Sequence, residues 1–147
     1  MIKNVMVAVD GSPPATRALA LGADIAMRYG AGLHLVHVIG EMAVPEGFEE
    51  FARIERVDQP AWVEMARVGE AVLGAARADA SAKGVRDART QVLTGDPAER
   101  LLGYAHDHGI DLLIMGRRGL GRIRGLLMGS VSAKVGSLAE CPVVTVT

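Results

Sequence analysis

The sequence is short of four things, and each shortage excludes something. It has one cysteine, Cys141, so no disulfide can form within the chain and stability has to come from packing. Aromatic residues are scarce (one Trp, two Tyr and two Phe among 147 residues), yet hydrophobic residues make up half the chain. Ala, Val, Leu, Gly and Met therefore fill the interior, as suits close packing of helices on a sheet. Net charge is nearly absent: 16 Lys and Arg against 17 Asp and Glu leave −1 at pH 7, which removes any global attraction to nucleic acid or an anionic membrane. No apolar run reaches the length needed to span a bilayer. Met1-Ile2-Lys3-Asn4 leads straight into a strand-like run, which sets the expectation of a cytoplasmic protein without a secretory leader.

What is present alternates from end to end. Ile2 to Val9 contains Val5-Met6-Val7-Ala8-Val9, a continuous apolar run of strand length that needs cover on both faces. Asp10-Gly11-Ser12-Pro13 ends it, with Ser12 as helix cap and Pro13 at the first helical position. Ala15, Ala18, Leu19, Gly22, Ile25, Ala26 and Tyr29 then recur on one helical face until Gly30 and Gly32 stop the helix. Leu33 to Ile39 reads as a second strand, and Gly40 to Pro60 as a long surface connection with weak periodicity. A helix is expected from about Ala61 to Lys83, with Trp62, Met65, Ala66, Val72, Leu73, Ala76 and Ala80 at core spacing. Gly84 ends it, and Ala88 to Thr94 forms a third, less buried strand. Asp96 and Pro97 open the next helix, whose Leu101, Leu102, Tyr104 and Ala105 face inward and which Gly109 closes. Asp111 to Met115 is the fourth strand, Ser130 to about Leu138 the last helix, and Val143 to Val146 a terminal strand. Cys141, just before Pro142, reads as a packed thiol. Five strands alternating with four helices in one undivided chain mean a parallel sheet with helices on both faces and right-handed crossovers.

The chemistry concentrates between the fourth strand and the last helix. From Met115 to Ser130 the chain carries five glycines, four arginines and no acidic residue. Glycine lets backbone approach a ligand, a helix N-terminus offers free N–H groups, and arginine adds forked donors suited to phosphate oxygens. The loop reads as an anion holder, most simply for a phosphate chain. It is not G-x-x-x-x-G-K-[ST], so a P-loop nucleotidase is excluded. Gly119-Leu120-Gly121 starts like a dinucleotide fingerprint, but Arg124 stands in place of the third glycine and the segment follows the wrong strand, which argues against a nicotinamide cofactor. Asp10 ends the first strand as Gly116 ends the fourth; if those strands are neighbours where the strand order reverses, a carboxylate faces the loop across one crevice. There it could bond a ribose or help hold magnesium.

These residues resemble the universal stress protein family. Gly116-x-x-Gly119, nine residues, then Gly129-Ser130 is similar to that family's nucleotide-binding pattern, as are Val7-Ala8-Val9-Asp10-Gly11-Ser12, Gly129-Ser130-Val131-Ser132 and Cys141-Pro142-Val143. The likeness covers essentially the whole chain. It implies an α/β, doubly wound, adenine nucleotide alpha hydrolase-like domain over residues 1–147, its parallel five-stranded sheet in the order 3-2-1-4-5. It implies the ATP-binding branch, with ATP and Mg2+ as ligand. By position, Asp10 would sit by the nucleoside, and Ala8 and Val38 would meet adenine or ribose through their main chain. Met115, Gly116, Arg118 and Gly119 would line the site, while Gly129, Ser130 and Val131 would take the phosphates.

Dedicated catalysis finds little support in the residues. The loop arginines supply charge, but no candidate base stands near them. His34 and His37 point to opposite faces of a strand, and His106 and His108 diverge at a helix end, so neither pair suits a metal. The loop arginines also lack the interleaved aromatics of a single-strand nucleic-acid site. Val143 to Val146, apolar and uncharged, would lie at a sheet edge, where pairing with another chain is invited; the family resemblance likewise implies a homodimer joined there. Three readings stay open: an adenine-nucleotide switch in stress response, a slow ATPase or nucleotidyl- or phosphoryl-transferring enzyme of the same fold, and a structural dimer with a vestigial pocket.

Overall fold

The computed structural model describes residues 1–40, 61–119 and 128–147, and the side chains of residues 61 and 62 are not described. Successive side chains of a strand point to opposite faces, so a strand apolar at every position must be covered twice. The chain does this with β1 (Asn4–Ala8), β2 (Gly32–Ile39) and β4 (Leu112–Gly116) at the centre of the sheet. Val5 and Val7, Leu33 and Leu35, and Leu112 and Ile114 pack with α1 (Pro13–Tyr29) and α2 (Ala61–Ala82). The alternate residues, Met6, Val36, Leu113 and Met115, pack with α3 (Pro97–Asp107) and α4 (Ser130–Leu138). Together with β3 (Arg89–Thr94) and β5 (Val143–Val146), these complete the elements among the described residues.

All strand pairs are parallel, in the order β3-β2-β1-β4-β5, as expected. Val7 sits at the centre, opposite Leu35 on one side and Ile114 on the other. The edges go to the less apolar β3 and the short β5. Small residues bring the layers close: a methyl group built on Gly22 of α1 would run into the Val7 side chain.

The two expected caps form. The Ser12 hydroxyl accepts the Ala15 N–H at 3.3 Å, the Asp96 carboxylate accepts the Glu99 N–H at 2.9 Å, and a proline follows each. Gly30, at φ 63°, ends α1 in the left-handed conformation that favours glycine. Two expectations about burial need correcting. The inward row of α1 ends at Ala26, and Tyr29, the last helical residue, is 57% exposed where the helix has run past the cover of the sheet. Met65 and Ala66 are only half-buried; the deeply buried α2 positions are Gly69, Leu73, Ala76 and Ala80. The inward placing of Trp62 and the connection after Gly40, over residues 41–60, lie outside the described residues.

Candidate functional site

The strand order places the site. From β1 the crossovers run outward through β2 to β3, and the chain then returns to β4 on the other flank of β1. The two connections part above the carboxyl ends of β1 and β4, and a crevice opens between them. A cleft of about 280 Å³ occupies this position. All ten residues singled out from the sequence stand around it: Ala8 and Asp10 at the end of β1, Val38 of β2, Met115 and Gly116 of β4, Arg118 and Gly119 beyond it, and Gly129, Ser130 and Val131 at the start of α4.

The cleft also has walls that sequence reading missed. Val9, Ala15, Val36, Pro97, Leu101 and Ser132 line it, as does Arg117, anticipated only as a source of charge. Pro97 and Leu101 had a usable signal. A helix that starts with Asp96-Pro97 straight after β3 begins at the same end of the sheet as Asp10, so its first turns must overlook the crevice.

One side of the cleft is apolar, formed by Ala8, Val36, Val38, Leu101 and Met115. These side chains carry no charge and no strong hydrogen-bonding group. The other side is mostly main chain, and here the three helix starts that have a described cap differ. Ser12 and Asp96 use their side chains to occupy an N–H of α1 and α3, whereas the cap of α4 is Gly129, which has no side chain and makes no capping bond. Gly129, Ser130, Val131 and Ser132 all line the cleft, so a helix start whose N–H groups are unused by a side-chain cap borders it. That end also carries the positive pole of the helix.

Space at this end is tight. A Cβ at Gly119 would stand 2.8 Å from the Asp10 Oδ2, and one at Gly116 would meet the Pro14 Cβ at 2.9 Å and the Arg118 carbonyl at 3.0 Å. Asp10 is held from behind, its Oδ1 accepting the Ser12 N–H at 2.9 Å. A single residue, Arg117, ties the rest together through the two peptide groups that flank its Cα. Its N–H donates to the Val146 carbonyl at 2.7 Å, and its carbonyl accepts the Gly129 N–H at 2.8 Å and the Ser132 hydroxyl at 2.7 Å. The remainder of the glycine-rich loop, residues 120–127 with Gly121, Arg122, Arg124 and Gly125, lies outside the described residues.

The histidines stand apart from the cleft. His34 is 1% exposed on the α3 side, its Nδ1 3.0 Å from the Tyr104 hydroxyl. His108 stacks on the Tyr104 ring at 3.8 Å. Burial, then the charge of Arg89 and the neighbouring His108, push the His34 pKa below its ordinary value. His37, on the other face, donates from Nδ1 to the Val9 carbonyl at 2.7 Å. His106 pairs with Glu140, which raises its pKa. Cys141 is half-buried, and burial pushes its thiol pKa up, away from reactivity. Among the described residues no group of three or more His, Cys, Asp or Glu could hold a metal, and no helix is long and apolar enough to cross a membrane.

Comparison with known proteins agrees with this architecture. The family model described as the universal stress protein family matches residues 1–147. The chain is 32% identical to the universal stress protein YxiE of Bacillus subtilis, over 99% of each chain. Among solved structures, it superposes on a universal stress protein in complex with cAMP with a TM-score of 0.72, at 27% identity over 99% of this chain and 97% of that one. A universal stress protein family member from Arabidopsis thaliana with AMP bound gives a TM-score of 0.64, at 25% identity over 98% and 90% of the two chains.

Proposed function

The chain belongs to the universal stress protein family, and from that membership and the shape of the cleft we propose that it binds an adenine nucleotide, ATP with its magnesium, as a nucleotide-dependent switch in the stress response. The observation that carries this reading is the pairing of an apolar slot with an uncapped helix start across one crevice. The slot between Val36, Val38, Leu101 and Met115 suits a purine ring. Asp10 stands between slot and helix, where a ribose would offer hydroxyl donors to its free oxygen. Gly129, Ser130 and Val131 offer N–H groups to phosphate oxygens, and Met115, Gly116, Arg118 and Gly119 wall the path between. Similar structures with cAMP and with AMP support an adenine ligand.

A magnesium ion would arrive on the phosphates with most of its waters, since Asp10 is the one carboxylate among the described lining residues. With no second acid or imidazole in that lining, the reading stays with binding rather than turnover. We extend it to a cytoplasmic homodimer paired along Val143–Val146, because β5 is an edge strand of four half-buried, uncharged residues.

The test is calorimetric titration of purified protein with Mg-ATP, AMP and cAMP beside Gly129→Val, preceded by chromatography of any nucleotide released on denaturation. A Cβ on Gly129 would already lie 3.2 Å from the Arg117 carbonyl, so valine crowds the loop where phosphate would pass. Binding by the parent and none by the variant is expected. Absence of binding of all three nucleotides by the parent would refute the proposal.

A further inference from the structure

Ser132 is the third residue of α4 and is 2% exposed. Its hydroxyl does not cap a donor, as serine near a helix start commonly does. It donates instead, to the Arg117 carbonyl at 2.7 Å, with the Gly129 carbonyl at 3.1 Å as a second, longer acceptor. The Arg117 carbonyl also takes the Gly129 N–H at 2.8 Å, so both of its lone pairs are engaged across the neck of the loop. The residue that leaves β4 and the residues that open α4 are thereby joined at one oxygen. Gly129 has no side chain with which to hold this junction, and Ser132 is the side chain that does.

We infer that Ser132 is a positioning residue: its hydroxyl clamps the neck of the loop and so keeps the first N–H groups of α4 aimed into the cleft. The inference rests on the nucleotide-binding reading for its consequence, but the clamp itself is a property of the free protein. A hydroxyl is required because the Arg117 carbonyl is an acceptor; a residue of similar size without a proton to give leaves one part-buried lone pair unmatched. Threonine keeps that proton, and alanine does not.

Two readouts on Ser132→Ala and Ser132→Thr test the idea. Amide exchange at Gly129, measured without nucleotide, should quicken in Ser132→Ala and stay at the parental rate in Ser132→Thr. Mg-ATP affinity should fall about tenfold in Ser132→Ala and return to within about twofold of the parent in Ser132→Thr, the size expected for one hydrogen bond. Parental exchange or parental affinity in Ser132→Ala would overturn the inference. Failure of a folded Ser132→Thr to restore either would also overturn it, by assigning the effect to shape rather than to the hydroxyl. If the parent binds no adenine nucleotide, the proposed function falls and the positioning role with it. The exchange arm alone would then show whether Ser132 closes the neck.

Discussion

Proline offers a way to remove one N–H that the proposed function assigns to phosphate, without disturbing the helix that carries it. Ser130 is the first residue of α4, the position at which proline is most at home because its fixed φ suits the helix and its missing N–H breaks no intrahelical bond. The residue before it is already extended, at φ −71° and ψ 158°, the conformation a following proline demands. The chain uses the same device twice, at Pro13 and Pro97. Ser130→Pro therefore deletes an N–H and a hydroxyl, and Ser130→Ala deletes the hydroxyl alone. The difference between the two isolates the N–H. A hydrogen bond to a charged oxygen contributes about 1.5–3 kcal/mol, so Ser130→Pro should bind Mg-ATP about 10- to 150-fold more weakly than Ser130→Ala. Calorimetry gives the affinities, and circular dichroism with urea unfolding establishes that α4 and the fold persist. Equal affinities for two folded variants would refute the claim that the start of α4 holds the phosphates.

Three more outcomes follow from the packing. Gly116→Ala should destabilise the fold by about 1–3 kcal/mol in urea, since its methyl meets the Pro14 ring and the Arg118 carbonyl, whereas Gly119→Ala, whose methyl meets the Asp10 carboxylate alone among the described residues, should leave the unfolding midpoint nearly unchanged. The reverse ranking would contradict the geometry. Gly22→Ala should cost about 1–3 kcal/mol in the parent and markedly less in a Val7→Ala background, where the colliding methyl is gone; a double-mutant cycle without coupling would count against close packing of α1 on β1. Finally, the His34 pKa is depressed in the folded state, so between that value and the unfolded value near 6.5 the unfolded chain binds more protons. Stability should accordingly be full above about pH 6.5 and fall on acidification below it. His34→Gln should flatten that slope, measured in a His106→Gln background, because His106 has the opposite shift. An unchanged slope would exclude His34 as its source.

The sheet was legible because its central strands carry an unambiguous pattern. Val5-Met6-Val7-Ala8-Val9 and Leu112-Leu113-Ile114-Met115 are apolar at both parities, and only a strand covered on both faces asks for that. Helix starts were legible where a short polar residue precedes proline, at Ser12 and Asp96. The end of an inward row was not, and Tyr29 shows why: helical periodicity continues on paper after the sheet has stopped providing cover. In the cleft, the residues that could be named were those that the family resemblance carries by position, Val38 of β2 among them, because they sit in or beside a matched motif or strand end. Pro97 and Leu101 come from a helix remote in sequence, and their part in the wall depends on where that helix sits relative to the crevice. Ser132 looks like any hydroxyl near a helix start, and only the position of the Arg117 carbonyl reveals that it donates across the loop.

The hydrogen bond from the Arg117 N–H to the Val146 carbonyl has a consequence for communication between surfaces. With the bonds to the Arg117 carbonyl, it makes the outermost strand and the loop neck neighbours through the two peptide groups of one residue, with β5 on one side and Gly129 and Ser132 on the other. If a second chain adds its strand along β5, any shift of Val146 is felt at Arg117, and any reordering of the loop by ligand is felt at the edge. Reciprocity of coupled equilibria then requires that subunit association and ligand affinity change each other by the same factor. An outer strand of four residues would thus serve as the gauge on which occupancy of the central crevice is displayed.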